Sequence, residues 1–82
     1  MAKHYIYDEY LKAVILKGQR PATGQDIKFK SLARNPKDGL VHIPNDCLYD
    51  NLGSCESAQQ KYIQLLQRPI KIVRYNGPFI MV

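Results

Sequence analysis

Tryptophan is absent from this chain of 82 residues, cysteine occurs twice, and no acidic residue follows Glu56. Each shortage excludes something. Two cysteines, Cys47 and Cys55, are too few for the disulfide framework that holds many small secreted domains together. The N-terminal stretch MAKHYIYDEY carries acids early and has no apolar h-region, so no signal peptide is read there. These two features lead to the expectation of a reduced, cytoplasmic protein. The longest unbroken apolar run is AVIL at 13–16, far short of the ~20 residues that span a bilayer, so no membrane partner is expected. Internal repeats and low-complexity segments are missing as well.

What is present argues for a folded core. Hydrophobic residues make up 45% of the chain, and six tyrosines with two phenylalanines supply bulky rings, which excludes a disordered polymer. The length suits one small domain over 1–82. A chain of this size buries roughly 60–65% of its unfolded surface, which leaves little room for a deep catalytic cleft and ample room for a binding face. The net charge is +5, and residues 57–82 carry Lys61, Arg68, Lys71 and Arg74 against no acid. A basic domain is drawn to polyanions: nucleic acid, an anionic membrane or an acidic protein surface.

Residues 8–17 favour a helix, because Tyr7, Tyr10, Leu11, Val14 and Ile15 fall at i, i+3, i+4, i+7 and i+8, with Asp8 and Glu9 at the N-terminal end. A strand also fits the aromatic and β-branched content, but alternation breaks at Tyr10-Leu11 and at Val14-Ile15. GQRPATGQ at 18–25 is a loop. Alternation in IKFKSLAR, 27–34, predicts a strand with Ile27, Phe29, Ser31 and Ala33 inward and Lys28, Lys30 and Arg34 outward, the outward stripe interrupted by Leu32. NPKDG at 35–39 supplies a turn, LVHI at 40–43 a second strand, and Pro44 its end. One helical turn is placed at 46–52, stopped by Gly53. Ser54 reads as the cap of a helix over 55–67, with Cys55, Ala58, Tyr62, Leu65 and Leu66 on its apolar face and Pro69 closing it. IKIVRY, 70–75, is a strand, and the tail FIMV is expected to be tucked into the sheet. The fold class is α+β: three to four mostly antiparallel strands packed against one or two helices.

Four constellations bear on function. Lys28, Lys30 and Arg34 project from one strand face, about 6.5–7 Å between alternate residues, with Lys37 in the adjoining turn. That stripe suits phosphates along a backbone; the same pattern also describes an ordinary solvated sheet face. Lys71 and Arg74 form a second basic patch. Tyr5, Tyr7 and Tyr10 lie beside Lys3 and His4, either as stacking rings for bases or as core. His42, Asp46, Cys47 and Cys55 collect metal-ligand types, but zinc spacing and a second ligand pair are lacking. No nucleophile elbow, phosphate loop or paired carboxylate marks a catalytic site, so the expected protein is not an enzyme and uses no cofactor.

The run DGLVHIPNDCLYDNLG, through Asp38, Gly39, Val41, Ile43, Pro44, Leu48, Leu52 and Gly53, resembles the swapped-hairpin DNA-binding domains of AbrB-type transition-state regulators. The likeness covers about sixteen residues. It implies a strand ending in Ile-Pro, a short helix ending in Leu-Gly, then two further strands, with IKIVRYNGPFIMV as the later hairpin. The helix over 55–67 and the region before the hairpin have no counterpart in that pattern. The leading expectation is a small non-enzymatic protein that binds nucleic acid through Lys28, Lys30, Arg34, Lys37, Lys71 and Arg74. Sequence reading would require a homodimer, since one short hairpin offers little interface. The alternative is a compact inhibitor or adaptor docking on an acidic protein partner.

Overall fold

A computed structural model describes residues 3–31 and 43–75. Arg34, Lys37, His42, the strand expected at 40–43 apart from Ile43, and the FIMV tail lie outside the described residues. The elements are β1 (Lys3–Asp8), β2 (Ala13–Ile15), β3 (Phe29–Ser31), α1 (Leu52–Leu66) and β4 (Lys71–Tyr75), with single 3-10 turns at Gly24–Asp26 and Asn45–Cys47. The strands form one antiparallel sheet in the order β3-β2-β1-β4. The fold is α+β, with α1 against one face of the sheet.

Residues 8–17, expected to be a helix, instead form the β1–β2 connection and β2. One local contact and one backbone conformation break the helix. The Asp8 Oδ1 accepts the Tyr10 N–H at 3.0 Å and folds a turn, and Lys12 takes a left-handed φ of 55°, which no continuing helix allows. The apolar stripe is accordingly scattered. Ile15 joins the helix side of the sheet, Val14 and Tyr7 the opposite side, and Tyr10 and Leu11 stand exposed in the turn. β1 and β2 are the two inner strands and are covered on both faces, so their sequences do not alternate apolar with polar.

Two apolar clusters sandwich the sheet. On the α1 side, Ile6, Ile15, Ile27, Tyr49, Cys55, Tyr62 and Ile70 are buried together. On the other side lie Tyr5, Val14, Ile43, Cys47, Leu48 and Tyr75. The segment 46–49 fills a gap where β1 and β2 diverge. Lys17 N–H donates to Asp46 O at 2.8 Å, and Tyr49 exchanges both backbone hydrogen bonds with His4, at 2.7 and 3.0 Å. Leu48 and Tyr49 then face opposite clusters, as successive residues of an extended chain do.

α1 begins earlier than expected. Its cap is Asn51, whose Oδ1 accepts the Ser54 N–H at 3.2 Å, and not Ser54 itself. Gly53 therefore lies in the first turn and stops nothing. The resemblance to swapped-hairpin regulators fails at the same place, because Leu52 and Gly53 open a helix of 15 residues where that pattern ends one. The turn expected at 46–52 reduces to Asn45–Cys47 followed by extended chain. At the other end Gln67, at φ 55°, donates its N–H to Ile63 O at 2.7 Å and terminates α1 two residues before Pro69.

Candidate polyanion interface

Cations that already have a partner on the protein are poorly placed to hold a ligand. Arg68 is paired with Asp8, Lys71 lies 2.9 Å from Glu9 and Lys3 lies 3.5 Å from Asp50. Lys17 Nζ donates to Leu48 O at 2.7 Å and sits 5.8 Å from the Tyr49 ring centre. The acid-free stretch 57–82 is thus neutralised in part by Asp8 and Glu9, which β1 and its turn bring against Arg68 and Lys71. The Glu9 carboxylate raises the Lys71 pKa, first through its hydrogen bond and then through its charge.

Lys28 and Lys30 differ. Both are exposed, and neither pairs with an acid among the described residues. Lys30 is opposite Val14, Val14 opposite Tyr7, and Tyr7 opposite Lys71, so Lys30 and Lys71 share the sheet face away from α1. Three inter-strand steps separate them, about 14 Å. Leu16 N–H donates to Lys28 O at 3.2 Å, which extends the β2–β3 ladder and puts Lys28 on the face of Lys30. The inward-outward alternation expected of this segment holds from Ile27 to Lys30, with Ile27 buried, Lys28 exposed, Phe29 half-buried and Lys30 exposed, and it ends at Ser31, expected inward but exposed at the end of β3. Arg74 is opposite His4 and belongs to the α1 face, so the two members of the second patch do not converge.

Arg20 was missed by sequence reading. It lies exposed in the loop after β2 and lines an open concavity of about 440 Å³ with Gly18, Gln19, Pro21, Ala22, Asp26 and Lys28. The Gln19 amide closes this loop onto Lys28. Its Nε2 donates to Leu16 O at 2.7 Å and to Lys28 O at 3.0 Å, and its Oε1 accepts the Lys28 N–H at 2.6 Å. A glutamine beside an arginine in a Gly/Pro loop carries no sequence signal for that closure. Lys12, Lys61 and Arg74 are also exposed, but they sit on the β1–β2 turn, on α1 and on the other sheet face.

The tyrosines mostly build core. Tyr5, Tyr49, Tyr62 and Tyr75 are buried and Tyr7 is half-buried, while Tyr10 is 78% exposed. Tyr5 and Tyr75 meet edge to face at 6.2 Å. Cys47 and Cys55 are free thiols with no exposed surface. Burial, then the charge of Glu56, pushes the Cys55 thiol up to about 11, and burial raises Cys47 as well. Thiols in that condition are protonated and weakly nucleophilic near neutral pH. No cluster of three or more His, Cys, Asp or Glu is placed to hold a metal ion among the described residues. No helix among them is long and apolar enough to cross a membrane.

Comparison with known proteins returned no matching family, no significantly similar curated protein and no significantly similar solved structure.

Proposed function

We propose that this chain is a small non-enzymatic binding protein, acting in a reduced compartment, that holds nucleic acid through its phosphates. One observation carries the reading. Lys28 and Lys30 stand exposed on one face at alternate positions, about 6.5–7 Å apart, without an acidic partner among the described residues. Desolvating them against phosphates breaks no ion pair among the described residues, and each phosphate they neutralise releases counterions. Affinity for a nucleic-acid strand should therefore fall steeply with salt. Changing Lys28 and Lys30 together to Glu should abolish binding while the circular-dichroism spectrum and melting curve stay unchanged. Binding that ignores salt, or no binding to DNA or RNA at all, would remove this reading.

A second reading rests on a different observation. Tyr10 and Leu11, 78% and 48% exposed, form an apolar tip on the β1–β2 turn, with the Arg68 guanidinium 4.9 Å from the Tyr10 ring centre. Tyrosine with arginine is a common anchor composition in protein interfaces. As an inhibitor or adaptor, the chain would dock this tip on an acidic protein surface. Partners that survive nuclease and are lost on Tyr10→Ser with Leu11→Ser would favour docking over nucleic-acid binding.

A further inference from the structure

We infer that Arg20 is a third binding residue and that the concavity it shares with Lys28 seats an internal phosphodiester of the bound strand. The inference rests on the nucleic-acid reading above and specifies which part of the polyanion is recognised.

Three features support it. First, the loop is held in place before any ligand arrives. Gln19 ties it to both backbone groups of Lys28, at 2.6 and 3.0 Å, and to Leu16 O at 2.7 Å. The Asp26 Oδ2 accepts the Thr23 N–H at 3.1 Å and the Thr23 hydroxyl at 3.2 Å. The turn that follows touches α1 so closely that a Cβ on Gly24 would lie 2.8 Å from Leu65 O. A loop fixed in this way loses little conformational freedom when it binds. Second, Arg20 and Lys28 line the same concavity, and Lys30 continues the cationic line along β3.

Third, the wall is not purely cationic. Asp26 lines it too, so two cationic residues and one acidic residue share the wall. That leaves a single net positive charge, which matches the monoanion of a phosphodiester. A terminal phosphate, dianionic near neutral pH, meets added repulsion from Asp26. Tyr10, the exposed aromatic among the described residues, lies on the turn before β2, whereas the concavity lies on the loop after it. Base stacking on that ring is therefore separate from the seat, and binding at the seat is indifferent to sequence.

The test uses the full chain and a fluorescein-labelled single strand of about a dozen mixed nucleotides, with or without a 5′-phosphate, read by anisotropy across a salt series. Arg20→Gln should weaken binding roughly three- to tenfold and lower the slope of log K against log salt by about 0.7, the contribution of one phosphate on a single strand. Lys61→Gln, on the far side of α1, should change neither. The 5′-phosphate should bring no gain, and inorganic phosphate should compete no better than potassium chloride of equal ionic strength. If Arg20→Gln binds with the native slope while Lys28→Glu with Lys30→Glu loses binding, the concavity is not the seat, although the broader reading survives. A gain of tenfold or more from the 5′-phosphate would assign the seat to strand ends and overturn the inference. Equal losses from Arg20→Gln and Lys61→Gln would reduce it to general charge. Absence of binding by the native chain would remove the inference and the reading together.

Discussion

The buried Asp8 carboxylate accepts hydrogen bonds from Arg68, sixty residues further along the chain. Nε donates to Oδ1 at 3.2 Å and to Oδ2 at 3.1 Å, and Nη2 donates to Oδ2. The other side of the guanidinium lies against the Tyr10 ring at 4.9 Å. One contact thus ties the β1–β2 turn to the link between α1 and β4. It also accounts for a charged side chain with no exposure inside the sheet sandwich.

Removing only Arg68 leaves that carboxylate buried without its counter-charge. Arg68→Ala should cost about 3 kcal/mol, the low end for breaking a buried pair, because Arg68 keeps 26% of its side chain exposed. Asp8→Asn with Arg68→Met should recover part of the loss. Urea unfolding of the three proteins checks the order; a single mutant as stable as the native chain would discount the contact.

Acid should act through the same pair. Burial raises the Asp8 pKa, but the Arg68 hydrogen bonds, the Tyr10 N–H and the Arg68 charge together outweigh it, and the net shift is below 3.8. The unfolded state then binds the proton first. The contribution of Asp8 is complete above its unfolded pKa of about 3.9 and is lost as pH falls through the lower folded value. Native stability should decline more steeply below pH 4 than that of Asp8→Asn, measured by urea midpoints across the window.

On the alkaline side the sign reverses. Cys55 is held up at about 11 from an ordinary 9.0, so its contribution is whole below pH 9 and lost as pH rises towards 11. Cys55→Ala should flatten that limb. Both thiols should resist alkylation in the native chain at pH 8 and react once it is unfolded. Rapid native labelling of either would contradict their burial.

Gly24 brings the loop close against α1 at Leu65. Gly24→Ala would place a methyl carbon 2.8 Å from the backbone oxygen of Leu65 and should cost about 1–3 kcal/mol as the turn backs away from α1. Thermal unfolding reads this directly. If the loop is also the frame of the concavity, salt-dependent binding should weaken in the same variant.

Gln67 is a non-glycine residue in the left-handed region, at φ 55°, where its Cβ is strained. Gln67→Gly should stabilise the chain by about 0.5 kcal/mol, since relief of strain exceeds the added freedom of the unfolded state. A lower melting temperature would show that the exposed side chain does more than end α1.

Some of this was legible in residue order. The α1 periodicity was, because Cys55 and Tyr62 at helical spacing meet a single sheet face and Ala58, Leu65 and Leu66 flank them. So was β4, whose β-branched run is bounded by Pro69. The Lys28–Lys30 face was readable because an outer strand with one covered side keeps its alternation. Tertiary structure alone decided the rest. It placed β1 and β2 inside the sheet, where burial on both faces erases the alternation that identifies a strand. It set Asp8 and Glu9 against Arg68 and Lys71, turning an excess of basic residues into two ion pairs. It also brought Arg20 to Lys28 through a glutamine amide. Composition determines how much charge a chain carries; which charges remain unpaired depends on contacts between residues far apart in sequence, and no local pattern encodes those.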